Sequence, residues 1–105
     1  MAKGPKKINN KRAERPRRCA YTATFSKAWE KYNRAGMRDM AAASDVMAMI
    51  FQGKTLPAQY LDHELTGDWD GSRECHIGGD FLLVYQKSGD LVTFVDLGSH
   101  SELFG

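Results

Sequence analysis

Cysteine is scarce in this chain: Cys19 and Cys75 are its only two, and they fit neither a disulfide framework nor a zinc spacing. No apolar run approaches the ~20 residues that a membrane-spanning helix needs. The basic N-terminus leads into no apolar stretch of the kind a secretory signal requires. A Gly-x-Ser-x-Gly elbow, a phosphate-binding loop and a dinucleotide fingerprint are all missing. Nor do 105 residues leave length for a second core. What remains is an ordinary globular composition, 42% hydrophobic and 27% charged. It predicts one soluble cytoplasmic domain, with no membrane contact.

The overall charge of +2 hides a division. Residues 1–18 hold Lys3, Lys6, Lys7, Lys11, Arg12, Arg15, Arg17 and Arg18 against Glu14 alone, a net +7. Residues 19–105 therefore carry −5. A basic arm with Ile8 as its one large apolar side chain builds no core and is expected to be disordered. Such arms either touch nucleic acid or merely solubilise. The boundary predicted here is an arm over residues 1–18 and a folded domain over residues 19–105.

Along that domain the pattern changes once. Residues 19–24 form a short strand candidate. Phe25, Trp29 and Tyr32 then recur at helical spacing, with Thr24 or Ser26 as the N-cap and Gly36 as the stop. A second helix is predicted over Met37–Gln52, with Met40, Met47, Ile50 and Phe51 as its buried stripe and Gly53 closing it. Residues 54–71 look too irregular for a regular element. Three strand-like runs follow, Arg73–Ile77, Phe81–Gln86 and Leu91–Leu97, joined by glycine-rich turns. In the last run, Leu91, Thr93, Val95 and Leu97 form the more apolar face and are predicted to pack on the helices. Helices ahead of an antiparallel meander give an α+β domain with the helices on one face of a small sheet.

The three histidines, His63, His76 and His100, all follow residue 60. Histidine titrates nearest neutral pH, so it both donates and accepts protons under physiological conditions. In a meander these positions can converge on one side of the sheet. Asp80 lies in the turn after His76, and Glu74 sits two residues before it on the same strand face. The gaps of 13 and 24 residues between the histidines match no metal-ligand spacing, and the thiols do not cluster with them. Acid–base chemistry without metal or cofactor is the expectation; each histidine alone would pass as an ordinary surface residue.

The stretch Leu56-Pro57-Ala58-Gln59-Tyr60-Leu61-Asp62-His63-Glu64-Leu65-Thr66-Gly67-Asp68-Trp69 resembles the segment before the sheet in YafQ-type toxins of the RelE/ParE superfamily. The likeness continues through Arg73-Glu74-Cys75-His76-Ile77, Asp80 and Leu82-Leu83-Val84-Tyr85. It ends in Gly98-Ser99-His100-Ser101-Glu102-Leu103-Phe104-Gly105. Four pieces in order at family-like spacing cover about residues 21–105. The resemblance implies a RelE-like, microbial-ribonuclease-like fold and an mRNA endoribonuclease that works on the ribosome without metal. It also implies a cognate antitoxin that silences the enzyme.

By the same resemblance His63, His76, Asp80 and His100 fall on catalytic positions, with Glu74 and Phe104 as substrate-binding neighbours. Cleavage through the RNA's own 2′-hydroxyl needs a base, an acid and a cation at the phosphate. The first two roles fall to the catalytic set; Arg73 is the candidate for the third. Two features depart from the family pattern. Asp96, four residues before His100, stands where a relative has arginine, and a carboxylate there repels a phosphate. The folded domain is also net acidic, which leaves the basic arm to compensate. Two alternatives stay open: a ParE-like toxin that inhibits gyrase by binding alone, and a degenerate toxin that keeps its antitoxin but cuts poorly.

Overall fold

The computed structural model describes residue 16 and residues 18–105. Most of the basic arm thus lies outside the described residues. Arg18 belongs to the sheet. It opens β1 (Arg18–Tyr21), donates its amide to the Asp90 carbonyl at 2.9 Å and grips the Asp90 carboxylate at 2.8 and 3.1 Å. β1 stops short of the predicted Thr24 because Thr22 already caps the next helix. The Thr22 hydroxyl accepts from the Phe25 amide and donates to the Val95 carbonyl at 2.6 Å, which ties helix start to sheet.

Helix α1 (Ala23–Ala35) buries Phe25 and Tyr32 and half-buries Trp29, as their spacing predicts. Gly36 ends it in the left-handed region, at φ 69°. Helix α2 (Met40–Phe51) starts later than the predicted Met37, because Asp39 accepts from the Ala42 amide and caps it there. Met37 is left almost fully exposed. The stripe differs too. Ala43, Val46 and Ile50 face the core, while Met40 and Met47 pack only partly against it. The buried stripe Ala43, Val46 and Ile50, at i, i+3 and i+7, is turned toward Val46, which leaves Met40 and Met47 at its edge.

The connection predicted as irregular contains structure: a 3-10 turn at Ala58–Tyr60, the strand β2 (His63–Glu64) and a second 3-10 turn at Gly67–Trp69. Two strand residues show no alternation in sequence; β2 exists because β3 offers it an edge. β3 (Arg73–Gly78), β4 (Phe81–Ser88), β5 (Leu91–Gly98) and the short α3 (His100–Phe104) complete the chain. The sheet order is β1-β5-β4-β3-β2. All pairs are antiparallel except β1 with β5, which are parallel. A parallel pair needs a long crossover, and α1 and α2 supply it.

The faces of β5 are reversed from expectation over half its length. Tyr85 pairs with Phe94 but Val84 pairs with Asp96, so Val95 is bulged out of register. Val92 and Phe94 therefore face the core, and beyond the bulge Leu97 does so as well. The expected face of Leu91, Thr93, Val95 and Leu97 does not exist as a unit. The core joins Phe25 and Tyr32 of α1 and Val46 and Ile50 of α2 to Leu83, Tyr85, Val92 and Phe94 of the sheet. The opposite face of the sheet carries the fully buried Leu82 and Val84 together with polar side chains. Among the described residues no helix is long and apolar enough to cross a membrane.

Candidate active site

On the side away from the helices, register lines up residues from four strands. His63 pairs with Glu74, Glu74 with Val84, and Val84 with Asp96. In the adjoining row His76 pairs with Leu82, and Leu82 with Gly98. Residues directly opposite in antiparallel strands share a face, so His63, Glu74, His76 and Asp96 all stand on one surface.

Glu74 is 3% exposed, and its Oε1 is shared. His63 Nε2 lies 3.3 Å from it and His76 Nε2 3.5 Å. The other nitrogen of His63 faces the Leu61 carbonyl at 2.7 Å. Both His63 nitrogens therefore face acceptors.

His100 opens α3 and is aimed from two directions. Asp80 Oδ1 accepts from the His100 amide at 2.9 Å and stands 3.3 Å from its Nδ1. These contacts hold the Asp80 carboxyl below its ordinary range, the backbone bond contributing most. Ser99 and Glu102 form a reciprocal capping box at the start of the helix. Glu102 also accepts from the Tyr32 hydroxyl and, at 2.9 Å, from Lys31, so α1 anchors α3. These bonds, that of Tyr32 foremost, pull the Glu102 carboxyl down to about 2. Burial and Glu102 push the Tyr32 phenol up to about 12. Gly98 has no side chain to spare here: a Cβ would lie 2.9 Å from Glu102 Oε1 and 3.3 Å from the Tyr32 hydroxyl.

A run of rings roofs the surface. The centroids are 5.9 Å apart for His76 and His100, 5.8 Å for His100 and Phe104, and 5.3 Å for Phe104 and Trp69. His63, Glu74, His76, Asp80, His100 and Phe104 are thus brought together. Trp69, the Leu61 carbonyl and the Glu102 anchor went unrecognised in sequence. The Ser99-x-x-Glu102 spacing was a readable signal for the last.

Arg73 is not brought there. Strand alternation sends it to the helix side with Cys75 and Ile77, where Asp62 holds it at 3.0 Å and Tyr85 donates to the same carboxylate at 2.6 Å. An arginine so paired, on the wrong face, does not serve a phosphate on the histidine side. Beside it, burial pushes the Cys75 thiol up to about 12, so it stays protonated and inert. The cation that does reach the site's end of the sheet is Arg38, between α1 and α2. Its guanidinium lies over the rings of Phe81, at 5.1 Å, and Tyr32, at 5.8 Å, and its charge contributes to lowering Asp80. No carboxylate ion-pairs with it among the described residues.

Two helices over a five-stranded sheet, with paired histidines and carboxylates on the opposite face, define a small α+β domain built around a histidine–carboxylate site. The chain belongs to the YafQ family: residues 17–105 match the family described as "Bacterial toxin of type II toxin-antitoxin system, YafQ". The "mRNA interferase toxin YafQ" of Escherichia coli strain B is 34% identical over 86 residues, which cover 81% of this chain and 92% of that one. The toxin in the crystal structure of the E. coli DinJ-YafQ complex superposes with a TM-score of 0.78 at 32% identity, covering 85% of this chain and 99% of that one. A metal-bound toxin from Helicobacter pylori gives 0.74 at 34% identity, covering 83% and 98%.

Proposed function

We propose that this toxin is an mRNA endoribonuclease that cuts ribosome-bound message through the RNA's own 2′-hydroxyl and is silenced by a cognate antitoxin protein. The observation that carries the reading is a pair of histidines, His76 and His100, with rings 5.9 Å apart and a separate carboxylate behind each. A carboxylate at one ring nitrogen orients the imidazole and leaves the other nitrogen to exchange a proton with substrate. One ring removes the 2′-hydroxyl proton as the 2′-oxygen bonds to phosphorus. The other protonates the departing 5′-oxygen, which leaves a cyclic phosphate and a free hydroxyl. His63, held between the Glu74 carboxylate and the Leu61 carbonyl, stands beside this pair where the crowded phosphate would lie. Phe104 and Trp69 offer ring surface on which a base can stack.

The E. coli relative's name, mRNA interferase, supports the substrate, and the DinJ-YafQ complex supports a protein antitoxin as partner. Family membership favours this reading over a ParE-like gyrase binder, which has no use for two carboxylate-backed histidines. Among the described residues no group of three or more His, Cys, Asp or Glu is placed to hold a metal ion. Proton transfer by the histidines needs none.

The test is cleavage of a defined message in a translating extract. His100→Ala should lower the rate about 10²-fold or more, the usual worth of a positioned acid or base. The wild-type rate should survive excess EDTA. Undiminished cutting by His100→Ala, or loss on chelation with recovery on adding zinc, overturns the mechanism.

A further inference from the structure

We infer that the hollow beside His76 is a nucleobase subsite, which holds the base next to the bond that is cut. The inference rests on the ribonuclease reading and extends it to substrate selection. The hollow has a volume of about 400 Å³, and Gln59, Tyr60, Leu61, His76, Gly78 and Gly79 line it.

Leu61 is the informative wall. It is the one non-glycine residue with positive φ among the described residues, at 51°. Leucine rarely adopts that left-handed backbone. Bonds on every side impose it. The Leu61 amide donates to the Ala58 carbonyl at 3.0 Å, and its own carbonyl accepts from His63 at 2.7 Å. The next residue, Asp62, is clamped by Arg73 and Tyr85 on the far face of the sheet. This explains the backbone but not the side chain. Holding a carbonyl toward His63 asks nothing of an isobutyl group, and glycine or asparagine would take the conformation more readily. Yet Leu61 is 57% exposed, a large apolar residue in water beside two histidines of the site. Its use lies outside the folded chain.

The remaining walls suit a flat heterocycle. Ile77 is bulged out of the β3–β4 register between His76 and Gly78. A Cβ built on Gly78 or Gly79 meets nothing within 4 Å, so bare backbone faces open space there. Gln59 offers an amide, donor and acceptor together, of the kind that reads a base edge. None of the lining residues carries a fixed charge. Apolar face, polar edge and no fixed charge together select a base rather than a phosphate, and His76 places that base one nucleotide from the chemistry.

The test uses the full chain, labelled with ¹⁵N and titrated with each of the four 3′-nucleoside monophosphates. The amides of Leu61, Gly78 and Gly79 should shift saturably, and one base should bind tighter than the rest. Leu61→Asn, which tolerates the left-handed backbone, should weaken that binding about tenfold; Leu61→Gly serves as a second variant. In the extract Leu61→Asn should raise KM with little change in kcat, and Gln59→Ala should alter which bases flank the cuts. Amides that stay still with all four nucleotides overturn the subsite. So does a fall in kcat alone, which would mean that Leu61 only positions His63. A wild-type chain that cuts no message overturns the ribonuclease reading instead, and the titration still decides the subsite.

Discussion

Under the proposed mechanism, Asp96 and Arg38 are the single residues that would set the charge an RNA phosphate meets. Asp96 stands in the row of His63, Glu74 and Val84, and among the described residues its carboxylate accepts only from the neighbouring Leu97 amide, at 2.8 Å. Burial raises its pKa, the Leu97 bond opposes this, and Glu102 adds to the rise. A carboxylate and a phosphate a few Å apart repel by roughly 1–4 kcal/mol, depending on how wet the site is. Asp96→Arg should therefore increase message cleavage, read as a higher kcat/KM with an unchanged fold. Equal or poorer cutting by the folded variant would place Asp96 away from the phosphate path. Arg38, with its guanidinium on ring faces and no ion-pair partner among the described residues, is the cation at the site's end of the sheet, whereas Arg73 lies on the other face. Arg38→Ala should raise KM and reduce the salt slope of RNA affinity by about one charge, as expected of a phosphate contact. Residue types and their order were legible in the chain: histidines, their carboxylates and Phe104 are all there to be read. The side of the sheet on which Arg73 falls was not, because alternation acquires meaning only when one face is known to be core.

At the scale of elements, α3 is the part whose placement matters most and whose own stability is least. Five helical residues do not hold themselves together; the Glu102 carboxylate, bonded to Ser99, Tyr32 and Lys31, does it for them. The carboxyl titrates near 2 in the folded chain against an ordinary 4.5. A lowered folded value means that the stabilisation is present above pH 4.5 and drains away as pH falls from there toward 2. Amide exchange in His100–Phe104 should therefore accelerate over that window before the sheet is affected. Glu102→Gln should remove most of that pH dependence and lower kcat at neutral pH. If α3 protection is as pH-dependent in Glu102→Gln as in the wild type, another group anchors it. Local signals of this kind sit within a few residues: Gly36 and Gly53 are read from spacing alone, and the Ser99–Glu102 box, though unrecognised in sequence, is a signal of the same sort. β2 is the opposite case, since nothing in its two residues announces a strand until β3 lies beside it.

For the whole molecule the question is how an acidic domain meets an anionic substrate. Residues 1–17 carry a net +6 once Arg18 is assigned to β1, and Ile8 is their one large apolar side chain. Removing residues 1–15, which spares the buried Pro16, should leave Tm nearly unchanged while RNA affinity falls and loses much of its dependence on salt. An unchanged salt slope would make the arm a passive tail. The sequence by itself determined the order of the two long helices and the three long strands, the α+β class, the glycine stops and the family, because these depend on neighbours along the chain and on local backbone preference. Tertiary structure decided the parallel β1–β5 pair, the fifth strand, the reversed face of β5 and the burial of Ala43 and Val46 in place of the methionines. Each of these depends on what lies across space, and one bulged residue, Val95, is enough to exchange the two faces of a strand. The same holds for the site. Chain order supplied its histidines and carboxylates, but only the register of four strands brings Glu74 between two rings and sends Arg73 to the other side.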